Sequence, residues 1–267
     1  MNRLHLLLPV LLFAGCAGGT LGTPEPRPSA LRGVPGFDTR EYPGDAAMDA
    51  WRGDSPYRWV GYYLEAPCRP NSSWMGRRGA LAQAGWGFAV LYVGEQQWAD
   101  TTQHVAPADS VLRCTRRNLT AEKGAADAAD AEQRAATEGF ADGSVVFLNV
   151  ERVEQVGPEL AAYVQAWVGT LHERGRFRPG LYAHEHNAEA LYARALAELN
   201  RRGSPLGPPL WVAKGSGFSL QAAPRESGVQ AARIWQGTFD VRESWGGVTL
   251  QIDGNVAYRA SPSDPAG

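Results

Sequence analysis

The chain has 267 residues, of which 44% are hydrophobic and 20% charged, and its formal net charge is −2. This length allows one large domain or two of ordinary size, and the composition is that of a globular protein rather than a disordered one. No basic run or acidic tail is present, so we expect no nucleic-acid partner. The nine Trp and nine Tyr are compatible with sugar stacking, although core packing is the ordinary use of such rings.

The first fifteen residues have the pattern of an export signal. Arg3 precedes the apolar run LLLPVLLFAGC, which is too short to span a bilayer comfortably. The end of this run resembles a bacterial lipobox, which implies cleavage before Cys16 and attachment of lipid to its thiol. An ordinary signal peptide with an incidental cysteine is the alternative. We therefore expect an exported lipoprotein facing the periplasm or cell surface, and Ala17 after the cysteine favours the outer membrane if the organism has one.

Residues 16–35 contain mainly Gly, Pro, Ser and Thr, which predicts a flexible linker between the lipid and a folded body. We place that body at residues 36–260 and a tail at residues 261–267. Cys68 and Cys114 remain in the body. An exported protein meets an oxidising compartment, which favours a disulfide between these two cysteines over two buried free thiols.

Eight apolar runs in the body predict strands. Several are continuous rather than alternating, which is typical of parallel strands covered on both faces. In chain order they are GFD, RWVGYYLE, GFAVLYVG, SVVFLNVE, PGLYAHE, PLWVAKG, ARIWQG and VTLQIDGN. Helical patterns lie between several of them, such as the segment from Pro158 to Gly175. This alternation predicts an α/β fold, a single (β/α)8 TIM-type barrel. A doubly wound open sheet is the alternative, but the glycine-rich phosphate loop of a dinucleotide-binding protein is missing.

Polar and aromatic side chains recur at the ends of these predicted strands, where TIM barrels carry their active sites. Carboxylates, amides and aromatic rings together are what a sugar-binding site needs. A carboxylate near a strand end is also often only a helix cap, which is the alternative for Asp38. The set comprises Asp38, Tyr62, Tyr63, Glu65, Asn149, Glu151, Tyr182, His184, Trp211, Lys214, Trp235, Gln236, Asp253 and Asn255.

Six of the motifs, GFD, VVFLNVE, GLYA, LWVA, IWQG and IDGN, occur in the order found in the glycoside hydrolase family 25 lysozymes. The chain resembles still more closely the glycoside-hydrolase-like domain family catalogued as domain of unknown function 1906. That family shares the opening GFD, the YVG strand end and the G-x-x-D-A helix start at Gly124. The resemblance covers about Gly36 to Ala257. It implies a barrel that acts on cell-wall glycan or descends from enzymes that do.

The resemblance also implies roles for individual residues. Glu151 matches the position of the proposed general acid, and Asp38 and Asp253 match acidic positions lining the cleft. Asn149 departs from the family, which usually has Asp there, so the catalytic set is Glu151, Asp38, Asp253 and the altered Asn149. The resemblance places Trp211, Trp235 and Gln236 on the cleft wall. From their strand-end positions, we add Tyr62, Tyr92, Tyr182, His184 and Asn255 as substrate-binding residues.

Three functions remain open on this basis. The first is hydrolysis of peptidoglycan or a related N-acetylated glycan, with Glu151 as acid. The second is a glycan-binding envelope protein impaired in catalysis by Asn149, and the third is a structural protein with a vestigial cleft. The pair of histidines at His184 and His186 lacks the helical spacing of a zinc protease, so we predict no metal site. The sequence has no cofactor motif, so we also predict no cofactor. Ser216 lacks the surroundings of a hydrolase nucleophile.

Overall fold

The protein is described by a computed structural model that covers Met1 and residues 32–97 and 114–265. The described residues from 32 onward form one compact unit. The predicted signal, Cys16 and most of the predicted linker lie outside the described residues. Nine strands are present in this part of the chain: β1 (Val34–Asp38), β2 (Trp59–Tyr63), β3 (Gly87–Tyr92), β4 (Val145–Val150), β5 (Arg178–His184), β6 (Leu210–Ala213), β7 (Ala232–Gln236), β8 (Val241–Trp245) and β9 (Val248–Ala257).

Eight of these strands close into a barrel in the order β1 to β7 followed by β9, which pairs back to β1. The TIM-type fold predicted from the sequence is therefore confirmed. Strands β1 to β7 are parallel, whereas β9 is antiparallel to both of its neighbours. The eight runs do not therefore all form parallel strands, as an ideal (β/α)8 barrel would require.

A hairpin explains the reversed strand. No helix separates β7 from β9, so the chain cannot return to the start of the barrel for another parallel strand. It instead forms β8, which pairs with the first half of β9. The turn between them is Gly246–Gly247, and both residues have positive φ, 55° and 76°. Gly-Gly is a favoured sequence for the tight turns of β-hairpins because glycine adopts such angles without steric cost.

Five helices pack against the outside of the barrel: α1 (Asp45–Asp54), α2 (Arg78–Gln83), α3 (Ala121–Thr137), α4 (Pro158–Arg174) and α5 (Glu185–Arg201). Helix α4 begins and ends as its sequence predicts, with Pro158 in the first turn and Gly175 as a left-handed cap. Helix α3 begins one turn before the expected start at Gly124, because Thr120 caps it through the Lys123 amide. Gly124 itself allows close packing on α4, since a Cβ there would lie 2.3 Å from the Tyr163 carbonyl oxygen.

Alternation along the strands divides the core into two layers. Side chains facing outward pack under the helices, and those facing inward fill the barrel. The inward layer is built around Trp59, Phe147 and Trp211, whose rings meet edge to face. Its other buried members are Ala89, Leu91, Val145, Ile234 and Ala257.

Residues 261–263, which the sequence assigned to a tail at residues 261–267, pack against the barrel. Ser263 is fully buried at the end of the barrel where the parallel strands begin. Its hydroxyl accepts from the Val90 amide at 2.8 Å, and its carbonyl accepts from the Val145 amide at 2.7 Å. Residues 261–263 therefore bridge β3 and β4 below the point where the two strands pair directly. At the other terminus, β1 begins at Val34, two residues before the predicted start of the body.

Cys68 and Cys114 form the predicted disulfide, with their Cα atoms 4.6 Å apart. The bond joins the loop after β2 to the segment that leads into α3. Among the residues that the structure describes, no helix combines the length and apolar character needed to cross a bilayer.

Candidate active site

Acidic side chains from three strands meet at the mouth of the barrel. Asp38 ends β1, Glu151 follows directly after β4, and Asp253 lies in β9. The pairing of β1 with β9 sets Asp38 opposite Asp253. Because β9 runs antiparallel, Asp253 reaches the mouth from the middle of its strand, whereas the sequence pattern predicted the C-terminal end. The charge of Asp253 raises the pKa of both Asp38 and Glu151, and the charge of Glu151 also raises that of Asp38, in addition to the larger effect of burial.

Asp38 is the most enclosed of the three. Burial raises its pKa to about 7, and the nearby charges of Asp253 and Glu151 act in the same direction. Two donors oppose this effect: the Tyr63 hydroxyl at 2.6 Å from Oδ1 and the Asn255 amide at 2.8 Å from Oδ2. Asp38 is thus a carboxyl group that exchanges its proton near neutral pH, in a fixed orientation.

Asp253 is held by its own pair of donors. The Gln236 side-chain amide donates to Oδ2 at 2.5 Å, and the backbone N–H of Asp240 donates to Oδ1 at 2.7 Å. Burial raises its pKa to about 6, with a further contribution from Asp240. Asp240 has a positive φ of 52°, which is uncommon for a residue with a side chain. The turn after β7 is thereby bent so that its N–H points at the Asp253 carboxylate.

Glu151 and Asn149 lie together, as their spacing of two residues predicts for one strand face. The Asn149 side chain hydrogen-bonds the Glu151 carboxyl and lowers its pKa, but burial is the larger effect and the pKa is raised overall. Asp253 adds to the rise. The Oδ1 atom of Asn149 is buried and has no hydrogen-bond partner among the described residues. It is therefore an available acceptor beside the Glu151 carboxyl group.

The floor of the mouth is the Trp211 ring, which is fully buried. Its indole Nε1 donates to the Asn255 Oδ1 at 2.9 Å, and the same Asn255 side chain donates to Asp38. Gly61 of β2 leaves the space for this arrangement. A Cβ at Gly61 would lie 2.4 Å from the Asp38 Cβ and 3.4 Å from the Trp211 ring.

Tyr182 and His184 follow each other on the inward face of β5. The Tyr182 ring meets Trp211 edge to face, and its hydroxyl group interacts electrostatically with all three carboxyl groups, which places it in the mouth. His184 caps α5, since its Nδ1 accepts from the His186 amide at 3.1 Å. Burial and the charge of Arg152 lower the His184 pKa, which favours the neutral form of the ring.

Three of the predicted substrate-binding residues do not face the mouth. Tyr62 packs under the helices, where its hydroxyl contacts Glu138 and accepts from the Arg78 amide. Tyr92 donates to Asp130 of α3 at 2.9 Å. Trp235 packs against Phe218 on the outer layer and donates to the Lys214 carbonyl.

Strand alternation explains this correction. Asp38, Asn149 and Gln236 are on the inward face of their strands, but Tyr62, Tyr92 and Trp235 fall on the outward face. On β2 the inward residue is Tyr63, one position later, and its hydroxyl binds Asp38.

Two buried amides near Glu151, Gln96 and Asn187, were not identified from the sequence. Gln96 lies after β3, and Asn187 lies in the first turn of α5. Both hydrogen-bond the backbone around Glu151. Neither belongs to a strand end, and their partners are more than thirty residues away in sequence, so only the fold brings them together.

The one group of described His, Cys, Asp and Glu side chains close enough to share a metal ion is Cys68, Glu95 and Cys114. The disulfide joins the two sulfur atoms of this group. The three carboxyl groups at the mouth are not part of any such cluster among the described residues.

Comparison with known proteins agrees with this architecture. A 22% identical, uncharacterized B. stearothermophilus protein matches with a TM-score of 0.56 over 84% of this chain and 96% of its own. The Clostridium perfringens spore cortex lytic enzyme SleM matches at 15% identity and a TM-score of 0.57, over 88% of this chain and 70% of SleM.

The modular autolysin LytC of Streptococcus pneumoniae, solved with a synthetic peptidoglycan ligand, matches at 12% identity with a TM-score of 0.53. That match covers 84% of this chain and 46% of LytC. At these identities the likeness establishes the fold alone, and no curated protein matches the sequence. The sequence itself matches a family over residues 49–257, which is most of its length. The chain belongs to the Rv2525c-like family of glycoside hydrolase-like domains.

Proposed function

We propose that the protein hydrolyses an N-acetylated glycan of the cell wall at the mouth of its barrel, with Glu151 as the general acid. The observation that carries this proposal is the convergence of Asp38, Glu151 and Asp253 on one mouth with raised proton affinities. Glycosidic bond cleavage needs one carboxylic acid to protonate the leaving oxygen and negative charge to stabilise the oxocarbenium-like centre. A set of carboxyl groups with different environments supplies both.

Glu151 suits the acid role because burial keeps a larger fraction of it protonated near neutral pH. Asp253, with a pKa of about 6, is mainly ionised at pH 7 and supplies negative charge. Asp38, with a pKa of about 7, is only partly ionised there. The pair on β1 and β9 therefore takes over, in this proposal, the charge that Asn149 does not carry.

Asn149 has a different task in this scheme. In substrate-assisted hydrolysis the acetamido group of the sugar attacks the anomeric carbon, and a group beside the acid orients it. The free Oδ1 of Asn149 is an acceptor for the acetamido N–H. It orients the acetamido group by this hydrogen bond but does not stabilise the developing positive charge.

A second function, glycan binding without efficient turnover, is favoured by the same residue. A preorganised charge that is missing from the transition state commonly costs about 100- to 1000-fold in rate. Under this alternative the mouth keeps Trp211, Tyr182 and its hydrogen-bonding groups for recognition, and Asn149 disables the chemistry.

The related folds support a cell-wall role. SleM is a spore cortex lytic enzyme, and LytC is an autolysin solved with a synthetic peptidoglycan ligand. We further propose that the first fifteen residues export the protein and that lipid on Cys16 anchors it to a membrane. The linker then presents the barrel to the wall from the periplasm or cell surface. The partner is therefore cell-wall glycan or another polysaccharide, and the folded body has no role in binding nucleic acid.

A chromogenic chitooligosaccharide separates the two functions. Release of chromophore by the wild type, with loss in Glu151→Gln, supports hydrolysis. No release by the wild type, together with retention on insoluble glycan and activity gained in Asn149→Asp, supports the binding protein. If the wild type neither releases chromophore nor is retained on the glycan, both functions are contradicted.

A further inference from the structure

The strand that carries Glu151 loses one of its neighbours just before the glutamate. The pairing of β3 with β4 ends at Tyr92 and Leu148, because the chain turns away from the sheet at Gly94. On the other side, β5 pairs with β4 as far as Val150. The backbone of Glu151 therefore lies beyond the regular ladder, where a strand end would ordinarily fray.

The Gln96 side chain takes the place of the missing neighbour. Its Nε2 donates to the Asn149 carbonyl at 2.8 Å, and its Oε1 accepts from the Glu151 amide at 3.1 Å. In a regular parallel ladder, the residue opposite Val150 would donate its N–H to the Asn149 carbonyl. Its own carbonyl would accept from the Glu151 N–H. The side-chain amide of Gln96 thus extends the β3–β4 ladder by one pair. Gln96 is only 1% exposed, so both hydrogen bonds are shielded from water.

Asn187 holds the same segment from the opposite side. Its Oδ1 accepts from the Val153 amide at 3.0 Å, and its Nδ2 donates to the Val153 carbonyl at 2.9 Å. Asn187 is 2% exposed and belongs to α5, which follows β5. Two buried amides from separate elements therefore fix the backbone on both sides of Glu151.

We propose that Gln96 and Asn187 are positioning residues that hold Glu151 in its working orientation. Neither residue carries a charge. Neither side-chain amide is free to bind substrate in the mouth, because both hydrogen-bond the backbone. The inference rests on the proposed function, because the working orientation is the one in which Glu151 donates its proton to the leaving oxygen of the glycan. A misplacement of a reacting group by about 1 Å can lower the rate about 100-fold.

The test compares Gln96→Met and Asn187→Leu with Ser263→Ala in the full-length protein. The first two keep side-chain size and remove the hydrogen bonds. Ser263→Ala removes a buried hydrogen bond to the Val90 amide at the opposite end of the barrel, so it controls for general destabilisation. The direct readout is the pH titration of the Glu151 carboxyl by ¹³C NMR, with its signal assigned by its absence in Glu151→Gln.

The Glu151 carboxyl faces Asp38, Asp253 and Tyr182, and these groups are unchanged in every variant. We expect the wild type and Ser263→Ala to share one raised Glu151 pKa. In Gln96→Met and Asn187→Leu the strand end admits water, and the pKa falls toward its ordinary value. On a cleaved glycan, kcat falls about 10- to 100-fold with little change in KM.

Titration of Gln96→Met indistinguishable from that of Ser263→Ala would overturn the inference. If Gln96→Met does not fold, the same comparison with Asn187→Leu decides the matter. If the wild type cleaves no glycan, the proposed function fails, but the NMR titration still shows whether the two amides control Glu151.

Discussion

Asp38 and Asp253 lie directly opposite each other on the antiparallel strands β1 and β9, and each has its own set of hydrogen-bond donors. Burial is the main cause that raises the pKa of Asp38 to about 7 and that of Asp253 to about 6, and the charge of Asp253 raises the Asp38 pKa further. The pair is therefore a source of pH-dependent stability as well as a candidate part of the catalytic machinery.

The sign of that dependence follows from proton binding. Both groups bind a proton more tightly in the folded protein than in the unfolded chain, where an aspartate pKa is near 3.8. The folded protein thus holds more protons between pH values of about 4 and 7. The contribution of the pair to the free energy of unfolding is largest below this range and is lost as the pH rises through it. For Asp38 alone the loss is at most about 4 kcal/mol.

Asp38→Asn should remove the Asp38 share of this dependence and leave the Asp253 share in place. Urea unfolding at a series of pH values between 4 and 8 measures it, with Asp142→Asn as the control because Asp142 is an exposed residue on the surface. We expect the control to follow the wild type, and we expect the stability of Asp38→Asn to fall less steeply with pH than that of either. A wild-type stability that rises from pH 4 to pH 8 would contradict the raised pKa values.

Asn149→Asp should shift the pH profile of hydrolysis. In the wild type, the Asn149 amide donates to the Glu151 carboxyl and lowers its pKa. A carboxylate at position 149 would repel the ionised glutamate and raise that pKa further. Because a general acid works only when protonated, the alkaline limb of the kcat profile should move to higher pH. At pH values below that limb, the added charge should raise kcat by about 10-fold or more.

Initial rates measured across the pH range in wild type and Asn149→Asp provide this comparison. Glu151→Gln serves as the control, since it has no carboxyl group to titrate at that position. An alkaline limb that stays in place in Asn149→Asp would show that Glu151 is not the group that sets it.

Gly61→Ala should damage both stability and the site. The added methyl group would overlap the Asp38 side chain at 2.4 Å, so one of them must move. Overpacking of this kind costs about 1–3 kcal/mol in the free energy of unfolding. Gly79→Ala is the matched control, because a Cβ at that helical position meets nothing within 4 Å. It should stabilise the protein by about 0.5–1 kcal/mol. Equal stabilities for the two variants, measured by urea unfolding, would contradict the close packing at Asp38.

Reduction of the Cys68–Cys114 disulfide should destabilise the body. The bond closes a loop with a sequence separation of 46 residues, for which loss of chain entropy in the unfolded state is worth about 4 kcal/mol. Urea unfolding with and without reductant measures this difference. The double variant Cys68→Ala/Cys114→Ala should match the reduced wild type and should not respond to reductant. A response of the double variant would mean that reductant acts elsewhere.

The predictability of the fold from the sequence differs between its parts. Continuous apolar strands and capped helices predict the barrel, because these signals are local. The reversal of β9 was missed because it depends on the absence of a helix and on the Gly246–Gly247 turn. The burial of Ser263 was also missed, since it depends on contact with β3 and β4.

The candidate site shows the same division. Asn149 and Glu151 were placed correctly by strand alternation, which applies to a single strand. Tyr62 was assigned to the mouth although alternation in β2 assigns the inward position to Tyr63. Gln96 and Asn187 could not be found, because a buried amide in a loop looks like any surface amide until its distant backbone partners are known.

The most direct test of the account is digestion of purified peptidoglycan by the full-length protein and by Glu151→Gln, with released muropeptides identified by mass spectrometry. We predict muropeptide release by the wild type and loss of that release in Glu151→Gln, with binding to the glycan retained. Undiminished release by Glu151→Gln would contradict the role of Glu151. Binding without any release by the wild type would contradict hydrolysis and leave the barrel mouth as a glycan-binding site.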